Sequence, residues 1–160
     1  MTRVASFVVV QMAYIRCLRG QGAAEGALEL RARARLRALG EEDGEWVRLN
    51  LSRLDEGEVV ALQQVLGEVH PGLATEVQLT LDVELTEADL ATDGGFDVAR
   101  QSVTLIVPKK GLQQRMFTVE LPEMPEPPPH RRRAAPAQIE LSVLVEERWP
   151  APVPGLVPKG

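Results

Sequence analysis

Apolar and polar side chains alternate residue by residue along several stretches of this 160-residue chain, a pattern typical of half-buried β-strands. The clearest example is ALELRARARLRAL (27–39), in which every second residue from Arg31 through Arg33 and Arg35 to Arg37 is basic. A helix turns by about 100° per residue and would scatter these arginines over two sides, whereas a strand gathers them on one face. The pattern predicts a strand carrying an arginine row. A helix is the alternative, because Ala, Leu and Arg are strong helix formers.

The stretch that follows alternates in the same way and predicts a second strand beside the first. In WVRLNLSRL (46–54), Val47, Leu49 and Leu51 fall on one face and polar residues on the other. The connection GEEDGE (40–45) is short and acidic and has a glycine near each end, which suits a turn between antiparallel strands. We therefore expect a β-hairpin here.

One later segment predicts a helix instead, over about 55–70. Its apolar residues recur three or four positions apart, Asp55 can cap its start, and His70 followed by Pro71 and Gly72 can end it. On a helix the apolar face would consist of Val59, Leu62, Val65, Leu66 and Val69.

Further strands are predicted from alternation or from β-branched, apolar composition. They cover 4–15, where a helix is again the alternative, and 75–90, 96–108, 115–122 and 139–149.

Together these elements predict a mainly β fold, α+β at the margin. We expect an antiparallel β-sandwich or open barrel of about seven strands with one packed α-helix. Residues 1–149 would form a single domain with an exposed Pro-rich loop at 122–138, because proline removes a backbone donor and fixes φ. Residues 150–160 would form a Pro-rich extended tail.

No segment predicts a secretory signal or a transmembrane helix. The apolar run at 4–15 is shorter than the roughly 20 residues that span a bilayer. We expect a protein that is cytoplasmic or lies within an assembled particle.

Charge is distributed unevenly along the chain. Residues 1–40 contain seven arginines against Glu25 and Glu29, a balance of +5, and the remainder contains 11 basic and 21 acidic residues, a balance of −10. The sum is the net charge of −5. A second basic group, HRRR (130–133), lies in the predicted loop. Such asymmetry favours contact between unlike charged surfaces.

Residues suited to catalysis or metal binding are scarce. Cys17 is the single cysteine, and its apolar surroundings favour a buried, inert thiol. The two histidines, His70 and His130, have no cysteine or histidine cluster around them. The acidic stretch 86–97 departs from the spacing of a calcium loop. We therefore expect no enzyme activity and no cofactor or metal.

The function predicted from these features is that of a non-catalytic structural or assembly subunit, alone or in a phage-like or other multi-subunit particle. Its partners would be further copies of itself or other protein subunits, joined through complementary charged β faces. The alternative is a nucleic-acid-binding module that uses the arginine-lined strand. The residues expected to carry the interaction are Arg31, Arg33, Arg35, Arg37, Asp82, Glu84, Arg131, Arg132 and Arg133.

Overall fold

A computed structural model gives the fold and describes residues 4–19, 28–38, 44–88, 96–121 and 137–151. These residues form nine β-strands, and none of them is helical. The strands are β1 (Phe7–Arg19), β2 (Leu28–Ala38), β3 (Val47–Arg48), β4 (Arg53–Leu54), β5 (Val59–Val69), β6 (Glu76–Ala88), β7 (Phe96–Pro108), β8 (Leu112–Leu121) and β9 (Ala137–Arg148).

Two antiparallel sheets share one apolar core, as in a β-sandwich. The first sheet has the strand order β5-β1-β9-β8, and the second has β3-β2-β6-β7 with β4 also paired to β2. Each long strand turns one apolar row inward, and these rows form a single buried cluster with members from both sheets, such as Ile15, Leu81 and Leu141. The predicted mainly β, antiparallel sandwich is confirmed, with nine strands in place of about seven.

The arginine row lies on a strand, as its alternation predicts. Leu30, Ala32, Ala34 and Leu36 of β2 are buried in the core, so the arginines between them point outward. The hairpin partner is short. Arg33 lies opposite Arg48 of β3, and the Leu49 N–H donates to the Ala32 carbonyl at 2.8 Å. Residues 40–43 of the predicted turn, and residue 39 at the end of the predicted strand, lie outside the described ranges.

The helix predicted over about 55–70 is wrong, because this segment forms β5 at an edge of the first sheet. The predicted N-cap, Asp55, is part of a turn instead. Its carbonyl accepts the Glu58 N–H at 2.9 Å, and Gly57 between them has φ +81°. A positive φ is favourable for glycine, so the chain reverses here before entering the strand.

Two irregularities in β5 explain why its sequence resembles a helix. The pairing with β1 shifts between Val10 and Gln11 and again between Met12 and Tyr14, and at each shift β5 contributes one extra residue. Gln63, at one of these bulges, has φ +50°. Because a bulge changes which residues face inward, the buried positions fall three or four residues apart rather than two. That spacing is also the signature of an apolar helix face.

The remaining sequence predictions meet the structure in part. Residues 122–136 of the predicted loop and 152–160 of the predicted tail lie outside the described ranges, and β9 already begins at Ala137. No helix capable of crossing a membrane is found in the ranges that are described.

Truncation of two neighbouring residues distinguishes the bulged strand from the helix. Leu66 is 8% exposed, whereas Val65 is 52% exposed, although both would belong to the apolar face of a helix. We expect Leu66→Ala to lower the free energy of unfolding by about 2–3 kcal/mol. Val65→Ala should lower it by less than about 0.5 kcal/mol. Chemical denaturation measures both, and equal losses would contradict the strand.

Candidate interaction faces

The outer surface of the second sheet carries the arginine row, and strand pairing determines what lies beside each arginine. Glu84 lies between Arg33 and Arg100, and Asp82 lies between Arg35 and Ser102. Because residues directly opposite on antiparallel strands point to the same side, the central rungs of this surface are polar, whereas Val98 lies opposite Thr86 and Ile106 opposite Gln78 toward its two ends. We define the basic face as Arg31, Arg33, Arg35, Arg37, Arg48, Thr80, Asp82, Glu84, Thr86, Arg100, Ser102 and Thr104.

Asp82 is the most heavily hydrogen-bonded group of the basic face. Arg35 Nη2 lies 2.9 Å from its Oδ2, and Arg37 reaches both oxygens, at 2.7 Å and 2.9 Å. The Ser102 hydroxyl donates to Oδ1 at 2.6 Å. Only 9% of the Asp82 side chain is exposed, so these donors replace water around a nearly buried carboxylate.

Glu84 joins two arginines from the strands on either side. Arg33 donates to both carboxylate oxygens, through Nε at 3.0 Å and Nη2 at 3.2 Å, and Arg100 Nε donates at 2.8 Å. This pairing ties β2, β6 and β7 together across the outside of the sheet. It also holds both guanidinium groups in fixed orientations, which lowers the entropy that a ligand would have to remove.

Trp46 completes the face, and its role is not evident from sequence alternation alone. The guanidinium carbon of Arg33 lies 4.3 Å from the Trp46 ring centroid, and that of Arg35 lies 4.6 Å away. Both distances are within the range of cation–π attraction. Together with Asp82 and Arg100, these residues line an open depression of about 440 Å³. The sequence signal that could have indicated this contact is the position of Trp46 two residues before Arg48, on the same strand face.

Both acids of the basic face have lowered pKa values. For Asp82, burial opposes ionisation, but hydrogen bonds from Ser102, Arg37 and Arg35 outweigh it and bring the pKa below the ordinary 3.8. For Glu84, the hydrogen bond from Arg33 is the main cause, burial works against it, and Arg100 adds to the lowering of the pKa below 4.5. The carboxylates are thus charged at neutral pH, and the ion pairs are intact.

The structure therefore brings together, on the basic face, the predicted interaction residues that belong to β2 and β6. Arg33, Arg35 and Arg37 meet Asp82 and Glu84 within one chain, so these acids already have basic partners. Arg31 lies on the same face opposite Thr86. Arg131, Arg132 and Arg133 lie outside the described residues.

Arginines outnumber acids on the basic face. Its six arginines, including Arg48 and Arg100, face only Asp82 and Glu84 in the central rungs. Glu29 and Glu76, at opposite ends of the sheet, are the next acids on the outward rows of β2 and β6, since Glu87 is buried, and Glu29 is itself opposite Arg53 of β4. The centre of this face is positive on a chain whose net charge is −5.

The outer surface of the first sheet has the opposite balance. We define the acidic face by its outward residues Val59, Val65 and Glu68 of β5, Tyr14, Arg16 and Leu18 of β1, Glu140, Leu144, Glu146 and Arg148 of β9, and Leu112, Gln114, Met116 and Glu120 of β8. Arg19 of β1, opposite Gln138, belongs to the same surface, so four glutamates are set against three arginines.

The acidic face is also more apolar than the basic face. Val59, Val65, Leu112 and Met116 are each more than half exposed. Tyr14 lies among them, and its hydroxyl is 3.2 Å from Glu140 Oε1 and 3.0 Å from Met116 Sδ. Burial, with the Glu140 charge in second place, raises the pKa of Tyr14, so its hydroxyl stays protonated at neutral pH. Exposed apolar groups rimmed by charge are typical of protein contact surfaces.

Other residues with chemical potential have structural surroundings. Cys17 is fully buried, and burial raises the pKa of its thiol, with Glu56 contributing further. His70 follows β5 rather than a helix, where its ring stacks on Phe7 with centroids 4.8 Å apart and its Nε2 lies 3.1 Å from Glu68. Within the described part of the chain, no group of three His, Cys, Asp or Glu side chains is arranged to hold a metal ion.

Comparison with known proteins adds little. No protein-family model and no curated protein sequence matches the chain. Among solved structures it is similar to a C2 domain of plant Extended Synaptotagmin 1, with 12% identity and a TM-score of 0.44, covering 94% of this chain and 100% of that domain. The functional proposal therefore rests on the two faces themselves.

Replacement of Asp82 tests the buried ion cluster. Asp82→Asn leaves Arg35 and Arg37 without their shared carboxylate, and we expect a loss of about 2 kcal/mol in the free energy of unfolding at pH 7. Because the pKa of Asp82 is lowered in the folded state, its stabilisation is present above its ordinary pKa of 3.8 and is lost as pH falls through the lowered value. The difference between wild type and variant should therefore shrink below about pH 4.

The matched control is Glu76→Gln, which neutralises an exposed carboxylate on the same strand. It should change stability by less than about 0.5 kcal/mol. Urea denaturation at several pH values measures both variants, and a loss for Asp82→Asn that is the same at pH 3 and pH 7 would contradict the electrostatic origin.

Proposed function

We propose that this protein is a non-catalytic assembly subunit whose copies associate head to tail, the basic face of one copy contacting the acidic face of the next. A single observation carries the proposal. The two outer surfaces of the sandwich point in opposite directions and have opposite charge balances. Every copy therefore offers one surface of each kind.

The direction of the two faces determines the type of assembly. A contact between unlike surfaces on opposite sides of a subunit is heterologous, and repetition produces a ring or an open filament. Such a role suits a building block of a phage-like or other multi-subunit particle, or of a cytoplasmic assembly. Strands about 4.8 Å apart and ten residues long at about 3.3 Å give on the order of 600 Å² for the four strands of the first sheet, and on the order of 480 Å² for the three long strands of the second. Both areas are somewhat smaller than the roughly 800 Å² per partner of ordinary stable interfaces.

The intrachain ion pairs change which acids the arginine row meets. Asp82 and Glu84 hold Arg33, Arg35 and Arg37 in place, so their role is to orient the row rather than to reach another copy. The positive excess belongs to Arg31 and Arg48, with a further share from Arg100, which pairs with Glu84 together with Arg33 and is 76% exposed. In the proposed contact, the glutamates of the acidic face meet this excess while its apolar side chains supply buried area. Complementary charge sets the register and speeds association.

Two charge-reversed variants test the proposal most sharply. Arg31→Glu with Arg48→Glu and Arg100→Glu gives a subunit with two acidic faces, and Glu120→Lys with Glu146→Lys gives a subunit with two basic faces. Each variant alone should remain unassembled through these faces at low salt, because its like-charged faces repel. An equimolar mixture should assemble, since each variant then complements the other. Light scattering measures the mass of each sample.

Lys110→Glu, in the turn between β7 and β8, is the control for a change of charge away from both faces, and it should assemble like the wild type. Circular dichroism checks that each variant keeps its strands. Two outcomes contradict the proposal. In the first, the wild type assembles but the mixture of the two variants has the same mass as either variant alone. In the second, the wild type and the variants have the same mass.

Nucleic acid is the second candidate partner of the basic face, and Trp46 favours it. Proteins that bind single strands combine a positive groove with aromatic side chains on which bases stack, and Trp46 lies directly beside the arginine row. Its ring is covered by Arg33 and Arg35, so a base would have to displace a guanidinium group, and this ranks nucleic acid second.

A fluorescence titration with single-stranded oligonucleotides tests this alternative. In a Trp149→Phe chain, in which Trp46 is the single tryptophan, binding should quench the emission and weaken steeply as salt increases. Arg48→Glu with Arg100→Glu should abolish the response, with Lys110→Glu as the control. Unchanged emission at low salt would remove nucleic acid as a partner.

A further inference from the structure

The outermost strand of the second sheet, β7, has an edge with which no described strand pairs, here called its free edge, and its backbone is regular and unbroken. Its thirteen pairs with β6 run from Phe96 to Pro108 without a shift. The Lys109 N–H donates to Thr75 on the β6 side, so odd-numbered residues of β7 direct their backbone groups toward β6. The even-numbered residues then direct theirs to the free edge. Pro108 has no N–H, but it lies at such an even position, so the pairing with β6 loses no hydrogen bond.

Two other edges of the described sheets, those of β5 and β2, are less open to pairing. The edge strand β5 is distorted by two bulges and by the positive φ of Gln63. The edge of β2 is partly occupied by β3 and β4. Bulges and covering segments are the usual means by which proteins prevent pairing between edges. On β7, the charged residue Arg100 is drawn back toward Glu84 by its 2.8 Å ion pair and leaves the edge accessible.

The core is incompletely covered beside this edge. Val103 and Leu105 of β7 point inward yet are only half-buried. The same is true of Phe117 in β8, the last strand of the other sheet. Both sheets therefore end on the same side of the sandwich with apolar side chains that a neighbour in the plane of the sheets would cover.

We propose that the free edge of β7 pairs antiparallel with β7 of a second copy about a twofold axis through Ser102. In this register Ser102 faces its own counterpart, Arg100 faces Thr104, and Val98 faces Ile106. The exposed apolar residues Val98 and Ile106, 42% and 60% exposed, then cover each other, and no two arginines are opposite. Each even-numbered N–H and C=O between them receives a partner, and the second sheet becomes continuous through both copies.

The residues of the two edge strands favour β7 and this register. On β7, moving the twofold axis to Arg100 would place the two copies of Arg100 opposite each other. Moving it to Thr104 would leave Val98 without a partner, because the residue opposite it would lie beyond the end of the other β7 strand. On β8, the equivalent five-rung pairing about Met116 would place Leu112 opposite Glu120, which leaves an apolar side chain against a charge. Of these two edges, β7 matches apolar with apolar and polar with polar over five rungs.

This contact is independent of the charged faces. It lies in the plane of the sheets, whereas the proposed head-to-tail contact lies across them. It depends on backbone hydrogen bonds and apolar contact, so salt should weaken it little. The pairing of β7 with a second β7 can therefore be correct even if the charged faces do not associate, and it can be wrong even if they do.

Disulfide formation between single-cysteine positions tests the register. Directly opposite residues in such a pair have Cα atoms about 5.5 Å apart, within the range that a disulfide spans. Ser102→Cys should therefore form a covalent dimer under mild oxidation, both in the otherwise wild-type chain and in the Glu120→Lys, Glu146→Lys background. Thr104→Cys, on the same face, should not, because the two copies would be separated by four residues, roughly 13 Å. The wild type controls for the buried Cys17.

A mixture of Val98→Cys and Ile106→Cys chains provides a second measurement, should loss of the Ser102 hydroxyl disturb Asp82. The mixture should give a heterodimer, and neither variant should give a homodimer. Thr104→Pro should reduce the noncovalent dimer at least tenfold, because it removes an edge N–H without breaking a bond to β6. The proposal is overturned if Thr104→Cys links as readily as Ser102→Cys, if neither pair links, or if only Gln114→Cys on β8 does.

Discussion

The register between β2 and β6 is the constraint on which the rest of the structure depends. Burial of Leu30, Ala32, Ala34 and Leu36 fixes which side of β2 is polar, because a slip of one residue would turn every arginine into the core. With that register set, β6 places Asp82 and Glu84 beside the row. An otherwise repulsive line of like charges thereby becomes a set of ion pairs that stabilises the sheet from outside.

The same register produces the difference between the two outer surfaces. The central rungs of the second sheet neutralise part of the arginine row and leave the rest positive. The first sheet, built from β5, β1, β9 and β8, presents glutamates among exposed aliphatic side chains. In the proposed assembly the two faces recognise one another, and neither a pocket nor a reactive group is required.

Alternation of single residues was sufficient to predict most strands and the outward arginine row, because a regular strand buries every second side chain. It failed for β5, where two bulges set Leu62, Leu66 and Val69 at helical spacing. The pairing of Arg35 with Asp82 was beyond reach, because the two residues are 47 positions apart and only the sheet order joins them. The contact of Trp46 with the row was within reach of the predicted hairpin, because Trp46 shares a face with Arg48, which lies opposite Arg33.

The mass of the wild-type protein in solution, as a function of salt, tests the central claim most directly. At about 50 mM salt charges on opposing faces are weakly screened, and at about 500 mM their attraction is largely removed. The account predicts a weight-average mass well above twice the 17.5 kDa of one chain at low salt, rising with protein concentration and decreasing toward two chains or one at high salt. A mass that is the same at both salt concentrations would contradict it.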